Sequence, residues 1–223
     1  MKPIVKQISK EEASSLLNPY HYLTKESRGF RSGYNYGAFI HGWRRHGEWN
    51  GWRHGNDDLL AVCIFHNPSV PELVKGCFGL ERKEQKGIFE LGRLVKHPDA
   101  SIILSQFVAT AIRQLREVTE VKAILSYADS RYHTGYIYQA LNFKYYGLTA
   151  QRSDFWFEQP DGTYIKHSRG KVKGFKGVWK ERPRKHRYLM VYDKELITKW
   201  ETEPYPKQDN IEYKRRETNG TIT

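Results

Sequence analysis

The sequence KAILSYADSRYHTGYIYQALNFKYYGLT, residues 122–149, predicts a strand, a polar turn, a short helix and a second strand in one compact unit. Residues 122–127 have the length and apolar content of a buried strand, and Asp129 follows directly as a turn or helix-cap residue. Residues 136–141 repeat apolar side chains at helical spacing, and 143–148 is typical of another strand. Open α/β sheets bind ligands at the carboxyl ends of their strands, so Asp129 is a candidate functional residue.

Further elements extend this unit towards the amino terminus. Residues 88–95 predict a strand and residues 101–118 an amphipathic helix, which gives the order β-α-β-α-β from Ile88 to Leu148. Residues 9–17 predict a first helix with a capping box of Ser9 and Glu12, ended by Asn18-Pro19. The other predicted strands span residues 34–40, 59–65, 73–80, 155–158, 164–167 and 188–192.

The charge of the chain indicates a polyanionic partner. The formal net charge is +12 and the isoelectric point is near 9.6, which favours a nucleic acid, although solubility alone could produce the same sum. Aromatic residues make up 14% of the chain and lie among the basic ones, as in surfaces that both stack on bases and neutralise phosphates. The alternative is an aromatic core.

The cysteines and the hydropathy pattern indicate the compartment. Cys63 lies inside an apolar run and Cys77 beside Phe78, so both are expected to be buried, reduced thiols of an intracellular protein. The sequence contains no run of ~18 apolar residues and no signal-like amino terminus, so secretion and a membrane span are not expected.

Two basic segments are candidates for contacting DNA. Residues 41–55 interleave arginine and tryptophan with glycine, which suits cations on phosphates and an indole stacked on a base or wedged into a gap. Residues 166–185 are rich in lysine and arginine and include one acidic residue, Glu181, as a phosphate track would, although such runs are often only solvated. The predicted DNA-contacting residues are Trp43, Arg44, Arg45, Trp52, Arg53, Lys171, Lys173 and Arg184.

Several short motifs resemble the phage Mom family, whose members modify adenine bases in phage DNA and have a fold similar to the GNAT acyltransferases. The motifs are Glu90-Leu91-Gly92-Arg93-Leu94, Ser126-Tyr127-Ala128-Asp129, His133-Thr134-Gly135, Ile137-Tyr138-Gln139-Ala140 and Asn142-Phe143. The resemblance implies an α/β fold with a GNAT-like mixed central sheet flanked by helices and a basic β-rich C-terminal extension. The expected organisation is a catalytic domain over 1–154, an extension packed on it over 155–199 and a mostly disordered tail over 200–223.

The same resemblance assigns catalytic roles to three residues. The arginine equivalent to Arg93 is essential in the family, and Asp129 would accept a proton from the adenine amino group or orient it. Tyr138 lies where GNAT enzymes often keep a general acid, a role that a phenol with a pKa near 10 suits. Each residue also has a structural interpretation: an edge-strand ion pair for Arg93, a helix cap for Asp129 and simple packing for Tyr138.

The resemblance also implies an acyl donor, acetyl-coenzyme A or a related molecule. Val95, Lys96 and the backbone near Ser101 would hold it, with a helix amino terminus directed at the pyrophosphate. The usual glycine-rich turn is absent from Lys96-His-Pro-Asp-Ala-Ser101. A divalent metal, iron or zinc, is a further hypothesis, with His21 and Tyr22 as ligands if folding brings Asp129 or His133 near.

The function implied by the resemblance is modification of the exocyclic N6 of adenine with a carbamoylmethyl-type group, which would protect phage DNA from restriction. The expected partners are double-stranded DNA and a small-molecule acyl donor, and the expected location is the cytoplasm of a phage-infected bacterium. One alternative is an acyltransferase for a hypermodified thymine, a transfer RNA or a protein lysine. Another is a DNA-binding protein of the same fold that performs no chemistry.

Overall fold

The fold is a mixed central β-sheet with helices on both faces and a small second sheet, seen in a computed structural model that describes residues 2–21, 29–43, 51–167 and 171–207. The strands are β1 (Ile4–Gln7), β2 (Tyr34–His41), β3 (Arg53–His54), β4 (Asp57–His66), β5 (Ile88–Lys96), β6 (Ala123–Asp129), β7 (Lys144–Leu148), β8 (Arg152–Glu158), β9 (Tyr164–Lys166), β10 (Gly177–Arg182) and β11 (Lys185–Val191). The helices are α1 (Lys10–Tyr20), α2 (Pro71–Phe78), α3 (Leu104–Val118) and α4 (Tyr136–Ala140).

The central sheet runs in the order β1-β2-β4-β5-β6-β11-β7, with β3 added beside β4. Its pairs are antiparallel except β5 with β6, which are parallel and joined by the crossover helix α3. The predicted mixed α/β sheet flanked by helices is therefore confirmed. Strand β11 lies between β6 and β7, so the sheet does not end at residue 154, and the predicted domain boundary there does not match the order of strands.

Helices α1 and α3 cover opposite faces of the sheet. In α1, Ser9 and Glu12 form the predicted capping box, with Ser9 Oγ accepting from the Glu12 amide and the Glu12 carboxylate accepting from the Ser9 amide. The helix nevertheless continues through Pro19 to Tyr20, so the predicted stop at Asn18-Pro19 was wrong. Helix α3 buries Phe107, Val108, Ala111, Ile112 and Leu115 in the main core.

Helix α2 replaces a predicted strand. The apolar run of residues 73–80 predicts a strand, but it belongs to a helix that begins at Pro71 and ends at Phe78; the following residue, Gly79, adopts the left-handed conformation with φ 78°. Proline in the first turn and glycine just after the last turn are the usual boundaries of a helix. Val74, Cys77 and Phe78 bury one face of α2 against the sheet. Both cysteines are free and buried, as predicted.

The basic extension forms a separate three-stranded antiparallel sheet in the order β10-β8-β9. Strand β10 was not predicted, and the strands of this sheet contact one another far more than they contact the central sheet. The extension leaves the central sheet after β7 and returns to it at β11. It is therefore an insertion between two neighbouring strands of the central sheet.

The segment 193–207, here called the strap, runs along the edge strand β7. The Glu203 amide donates to the Tyr145 carbonyl at 2.9 Å, and the Tyr205 hydroxyl donates to the Phe143 carbonyl at 2.9 Å. The Trp200 indole packs on Tyr146. Residues 200–207 are thus held against the sheet, unlike the unstructured tail predicted from residue 200; residues 208–223 lie outside the described part of the chain. Within the described residues, no helix is long and apolar enough to cross a membrane.

Candidate active site

A cavity of about 370 Å³ opens where strands β5 and β6 separate. The two strands pair in register from Ile88–Ala123 to Leu91–Ser126, and the Ser126 hydroxyl donates to the Leu91 carbonyl at 2.9 Å. Beyond this point β5 continues beside β4 and β6 continues beside β11, so a gap forms between their carboxyl ends. The cavity is lined by His21, Glu90, Leu91, Gly92, Arg93, Leu94, Leu104, Tyr127, Asp129, His133, Tyr136, Ile137, Tyr138 and Lys185.

A β-bulge in β5 shapes one wall of this cavity. Arg93 pairs with Ile64 and Leu91 with Phe65, so Gly92 is the extra residue of the bulge. A Cβ atom at Gly92 would overlap Nε2 of the buried His66 ring, so the bulge requires glycine. A bulge bends its strand and changes the direction of nearby side chains. Here it accompanies both the separation of β5 from β6 and the placement of Arg93 at the cavity.

Asp129 lies at the opposite wall, at the end of β6, with 5% of its surface exposed. Its carboxylate accepts from the Arg131 amide at 3.0 Å and from the Arg131 guanidinium at 3.3 Å. Asp129 therefore performs the turn-forming role that aspartate often has, and it also faces the cavity. The predicted Arg93 and Asp129 thus border one cavity.

The third predicted catalytic residue, Tyr138, is presented by α4. The helix starts after Gly135, whose φ of 86° is left-handed, and the Tyr138 ring packs on Tyr188 and Phe143. Burial raises the pKa of the Tyr138 phenol, and a hydrogen bond with Ser126 opposes this shift. The phenol therefore stays protonated at neutral pH and can act as a proton donor at the cavity wall.

Lys185 also lines the cavity, although the sequence predicted nothing for it beyond its place in the basic segment 166–185. Strand β11 pairs antiparallel with β6, and Lys185 stands directly opposite Asp129. Burial lowers the pKa of the lysine, as do Arg182 and Arg93, whereas Asp129 and Glu90 favour its charged form. Its place opposite Asp129 could not be predicted from the sequence, because the pairing joins residues that are 56 positions apart in the chain.

The three residues predicted to hold the donor, Val95, Lys96 and Ser101, differ from one another in burial and in contacts. Val95 packs in the core with α1, and the Lys96 ammonium donates to the Ala100 carbonyl at 2.8 Å, so it braces the turn before α3. Ser101 is exposed and precedes α3, which starts at Leu104, three residues later than predicted. The backbone of β5 after Leu91 borders the gap, and within the described part of the chain the N-cap residue of α3, Ile103, makes no side-chain capping hydrogen bond. Backbone groups along the gap suit an extended thioester arm, and the amides at a helix amino terminus suit a pyrophosphate.

The metal hypothesis has less support. His21 lines the cavity, but Tyr22 lies outside the described residues. Among residues 2–21, 29–43, 51–167 and 171–207, no group of three or more His, Cys, Asp or Glu side chains is arranged to hold a metal ion. Burial lowers the pKa of His21 to about 4, with Arg93 and His133 acting in the same direction, so the imidazole is neutral at pH 7.

The first basic segment is only partly available for DNA. Arg44 and Arg45 lie outside the described residues. Trp43 is half-buried with its ring 4.8 Å from the His97 ring, and Arg53 Nε donates at 2.7 Å to Asp58, which is fully buried. Arg53 thus has a structural role as the partner of a buried carboxylate. Trp52 is 41% exposed.

The second basic segment lies on the small sheet and on the connection to β11. Lys171 and Lys173 are exposed and form no ion pair among the described residues. Arg184 is exposed, and its Nε donates to the Thr149 carbonyl at 2.7 Å. Arg184 immediately precedes Lys185 of the cavity, so this predicted phosphate contact lies beside the candidate site.

The buried histidines predict a loss of stability in acid. Burial is the largest cause of a lowered pKa at His21, His66, His97, His133 and His186. Such a group is neutral in the native state but takes up a proton in the unfolded chain, so stability falls as the pH drops below about 6.5. For His21 the window extends to pH 4, and its share between pH 7.5 and 5 is about 2 kcal/mol. Urea unfolding of the wild type and of His21→Gln at both pH values measures this share, and equal pH dependence in the two proteins would contradict it.

The comparisons with known proteins agree with the predicted resemblance. A sequence model of the Mom protein family matches residues 2–207. No curated protein matches the sequence. The resemblance that was found in the motifs of residues 90–143 therefore extends over most of the chain.

Solved structures similar to this fold include acetyltransferases. An acetyltransferase of the GNAT family from Streptococcus pneumoniae has a TM-score of 0.45 and 11% identity, covering 86% of this chain and 100% of the other. A GNAT family acetyltransferase from Elizabethkingia anophelis with acetyl-CoA bound has a TM-score of 0.42 and 13% identity, covering 86% and 99%. The protein yncA from Salmonella typhimurium with acetyl-CoA has a TM-score of 0.46 and 11% identity, covering 88% and 98%.

Proposed function

Because the chain belongs to the Mom protein family, we propose that it is a transferase that modifies the exocyclic N6 of adenine in phage DNA and so protects that DNA from restriction. The observation that carries the proposal is the cavity between β5 and β6, which is bordered by Arg93, Asp129 and Tyr138. A cavity that combines apolar walls with a few converging polar groups is the usual form of a small-molecule site. A purine and the reactive end of a donor are ligands of this kind.

The acceptor amine needs a group that takes up or orients its proton. Asp129 has this role in our proposal, because its carboxylate is buried, faces the cavity and is fixed by Arg131. Lys185, opposite Asp129 in the sheet, adds a donor that can hold a ring nitrogen or an oxyanion of the substrate. Arg93 supplies a second cation from the other wall.

The donor is an acyl-coenzyme A or a related molecule in this proposal. When bound, it supplies an activated carbonyl or methylene carbon for transfer. The β5 backbone after Leu91 and the first turn of α3 are the groups that would hold its arm and pyrophosphate. In this proposal Tyr138 returns a proton to the leaving group, a role supported by burial, which raises the pKa of its phenol and favours the protonated form.

The chemical class of the product is a separate question. Attack of N6 on the carbonyl of a thioester gives an acetyl amide, whereas the carbamoylmethyl product is an amine that carries one additional NH in the added group. The two products therefore differ in mass. The mass of the modified nucleoside indicates which kind of donor the enzyme uses. A metal-assisted step is not part of this proposal, because no group of three or more His, Cys, Asp or Glu side chains among the described residues is arranged to hold a metal ion.

The acceptor base must leave the helix to reach a cavity of this kind. N6 of adenine lies within the stacked, paired duplex, so enzymes acting on it flip the base or act on opened DNA. Trp52 is an exposed indole that could occupy the space left by the base. Lys171, Lys173 and Arg184 would contact phosphates, and DNA affinity would then fall steeply with salt.

The decisive experiment is mass analysis of nucleosides from cells that express the chain. A modified deoxyadenosine is the expected result. Arg93→Ala is expected to lower its amount about 100- to 1,000-fold, the size of effect seen when one preorganised hydrogen-bond donor to the charge of a transition state is removed. The affinity of the purified protein for DNA should change little. Arg113→Ala, an exposed arginine on α3, is the matched control and should behave as the wild type.

Other outcomes would identify the alternatives. A mass added to thymidine, to transfer RNA or to protein lysines, with deoxyadenosine unchanged, would indicate an acyltransferase with another target. DNA binding without any modified nucleoside or protein would indicate a binding protein that retains the fold. Either outcome would overturn the proposed adenine modification.

A further inference from the structure

One face of the small sheet exposes aromatic rings to solvent. Phe155, Phe157, His167, Phe175 and Trp179 form this surface, called the aromatic face here, with neighbouring ring centroids 5.3 to 6.5 Å apart. Phe155 is buried beneath the others, but Trp179 is 62% exposed and Phe175 is 57% exposed. Large exposed rings that are grouped on one face of a sheet mark an interaction surface.

The charge around the aromatic face indicates the kind of partner. Exposed lysines at 171, 173 and 176 flank Phe175 along the chain, and of these Lys176 pairs with Glu158. On the opposite face, Lys180 lies over the Trp156 and Tyr164 rings. Aromatic rings combined with lysines match the two chemical components of a nucleic acid strand, its base planes and its phosphates.

A groove lies where the small sheet is joined to strand β11. It has a volume of about 390 Å³ and is lined by Ser130, Arg131, Leu148, Gln151, Glu181, Arg182, Pro183 and Arg184. Ser130 follows Asp129 and Arg184 precedes Lys185, so two groove residues are direct chain neighbours of two cavity residues. Arg182 is held by Asp154 through contacts of 2.5 and 3.2 Å, and Arg184 by Thr149, which fixes both guanidinium groups beside the groove.

The aromatic face borders the groove at strand β10. Side chains alternate between the two faces of a strand, so Glu181 of the groove shares the face of Trp179, about 7 Å away along β10. Arg182 and its partner Asp154 lie on the opposite face, with Lys180. The groove therefore adjoins the aromatic face at Glu181, and its residue Arg184 is followed in the chain by Lys185 of the cavity. A polymer that enters the cavity with one unit can reach the aromatic face with units further along.

We propose that the aromatic face and the adjoining groove bind an unpaired DNA strand next to the base that enters the cavity. This inference rests on the proposed function. The faces of bases in a duplex are covered by their neighbours, whereas an opened strand has base faces that can stack on Trp179 and Phe175. The groove arginines contact the phosphates between the stacked bases and the flipped base. The enzyme thereby holds the opened strand apart from its complement.

Fluorescence anisotropy with the full chain and labelled oligodeoxynucleotides tests this proposal. The probes are a single strand, a duplex of the same sequence and a duplex with a central unpaired bubble. Trp179→Ala is expected to weaken binding of the single strand and the bubble about 5- to 150-fold, the effect of losing one stacked base. Trp179→Phe keeps a stacking ring and should stay within about threefold of the wild type on the same basis. Ile197→Ala, at a 79% exposed apolar residue of the strap, is the matched control and should bind normally.

The outcomes separate this inference from the proposed function. Equal affinity of Trp179→Ala and wild type for the single strand, with thermal unfolding unchanged, would overturn the inference even if deoxyadenosine is modified in cells. Tighter binding of the same sequence as RNA would also contradict it. Trp179-dependent preference for unpaired DNA without any modified nucleoside would support the inference and show that the proposed reaction fails.

Discussion

Replacing Asp129 by asparagine is expected to lower the formation of modified deoxyadenosine by about two to four orders of magnitude, the range measured when a general base is removed. The change removes one negative charge and the ability to take up a proton. It keeps the size of the side chain, and the amide oxygen can still accept from the Arg131 amide. The turn after β6 should therefore persist, so the loss would report on chemistry and not on folding.

The nucleoside assay after expression of Asp129→Asn measures this effect. Asp161→Asn is the matched control, because Asp161 is exposed and accepts hydrogen bonds from Thr163 in a turn of the small sheet. The control should modify DNA at the wild-type level. Modification by Asp129→Asn within about threefold of the wild type would show that the carboxylate has only the turn-forming role, because general-base effects are far larger.

The largest effect on stability is expected for Gly135→Ala. Gly135 has φ 86°, a conformation that costs an alanine about 1–2 kcal/mol. A Cβ atom there would also overlap the ring of Tyr188 and lie 3.0 Å from the Tyr138 ring. Tyr188 cannot move easily, since its hydroxyl donates to the Thr134 carbonyl and its ring is fully buried. Overpacking typically adds about 1–3 kcal/mol, so we expect a total loss of about 2–5 kcal/mol.

Urea unfolding at pH 7.5 measures the free energy of unfolding of Gly135→Ala. Gly162→Ala is the control, because Gly162 also has a left-handed φ of 78°, but a Cβ atom added there would have no atom of the described residues within 4 Å. The loss of unfolding free energy in the control measures the cost of a left-handed alanine. The additional loss in Gly135→Ala measures the cost of the overlap with Tyr188. An equal loss of unfolding free energy in both variants would mean that the side chains around α4 rearrange without a cost in stability.

Elements determined by local sequence were predicted well. The capping box of α1 and the unit of residues 122–149 were found because their signals lie within a few residues of one another. Helix α2 was misread as a strand since a short apolar run is compatible with both structures. Its boundaries, Pro71 and Gly79, were the signals that distinguished the two and were overlooked.

Features that depend on distant pairing could not be read from the sequence. The sequence predicts that β11 is extended, but it does not predict that this strand lies between β6 and β7 in the central sheet. The place of Lys185 opposite Asp129 follows from that insertion alone. Arg93 and Asp129 were found because family motifs contain them, while their common cavity depends on the separation of two strands.

The strap also has a consequence for behaviour in concentrated solution. Strand β7 ends the central sheet, and an unprotected end strand offers its backbone groups to other molecules, a common beginning of aggregation. Here the Tyr145 carbonyl is already occupied by the Glu203 amide, and the Phe143 carbonyl by Tyr205. The Glu203 carboxylate lies against Gly147 and adds a charge at the same border. The strap thus blocks the edge of β7 and disfavours pairing of this edge with a second copy of the protein.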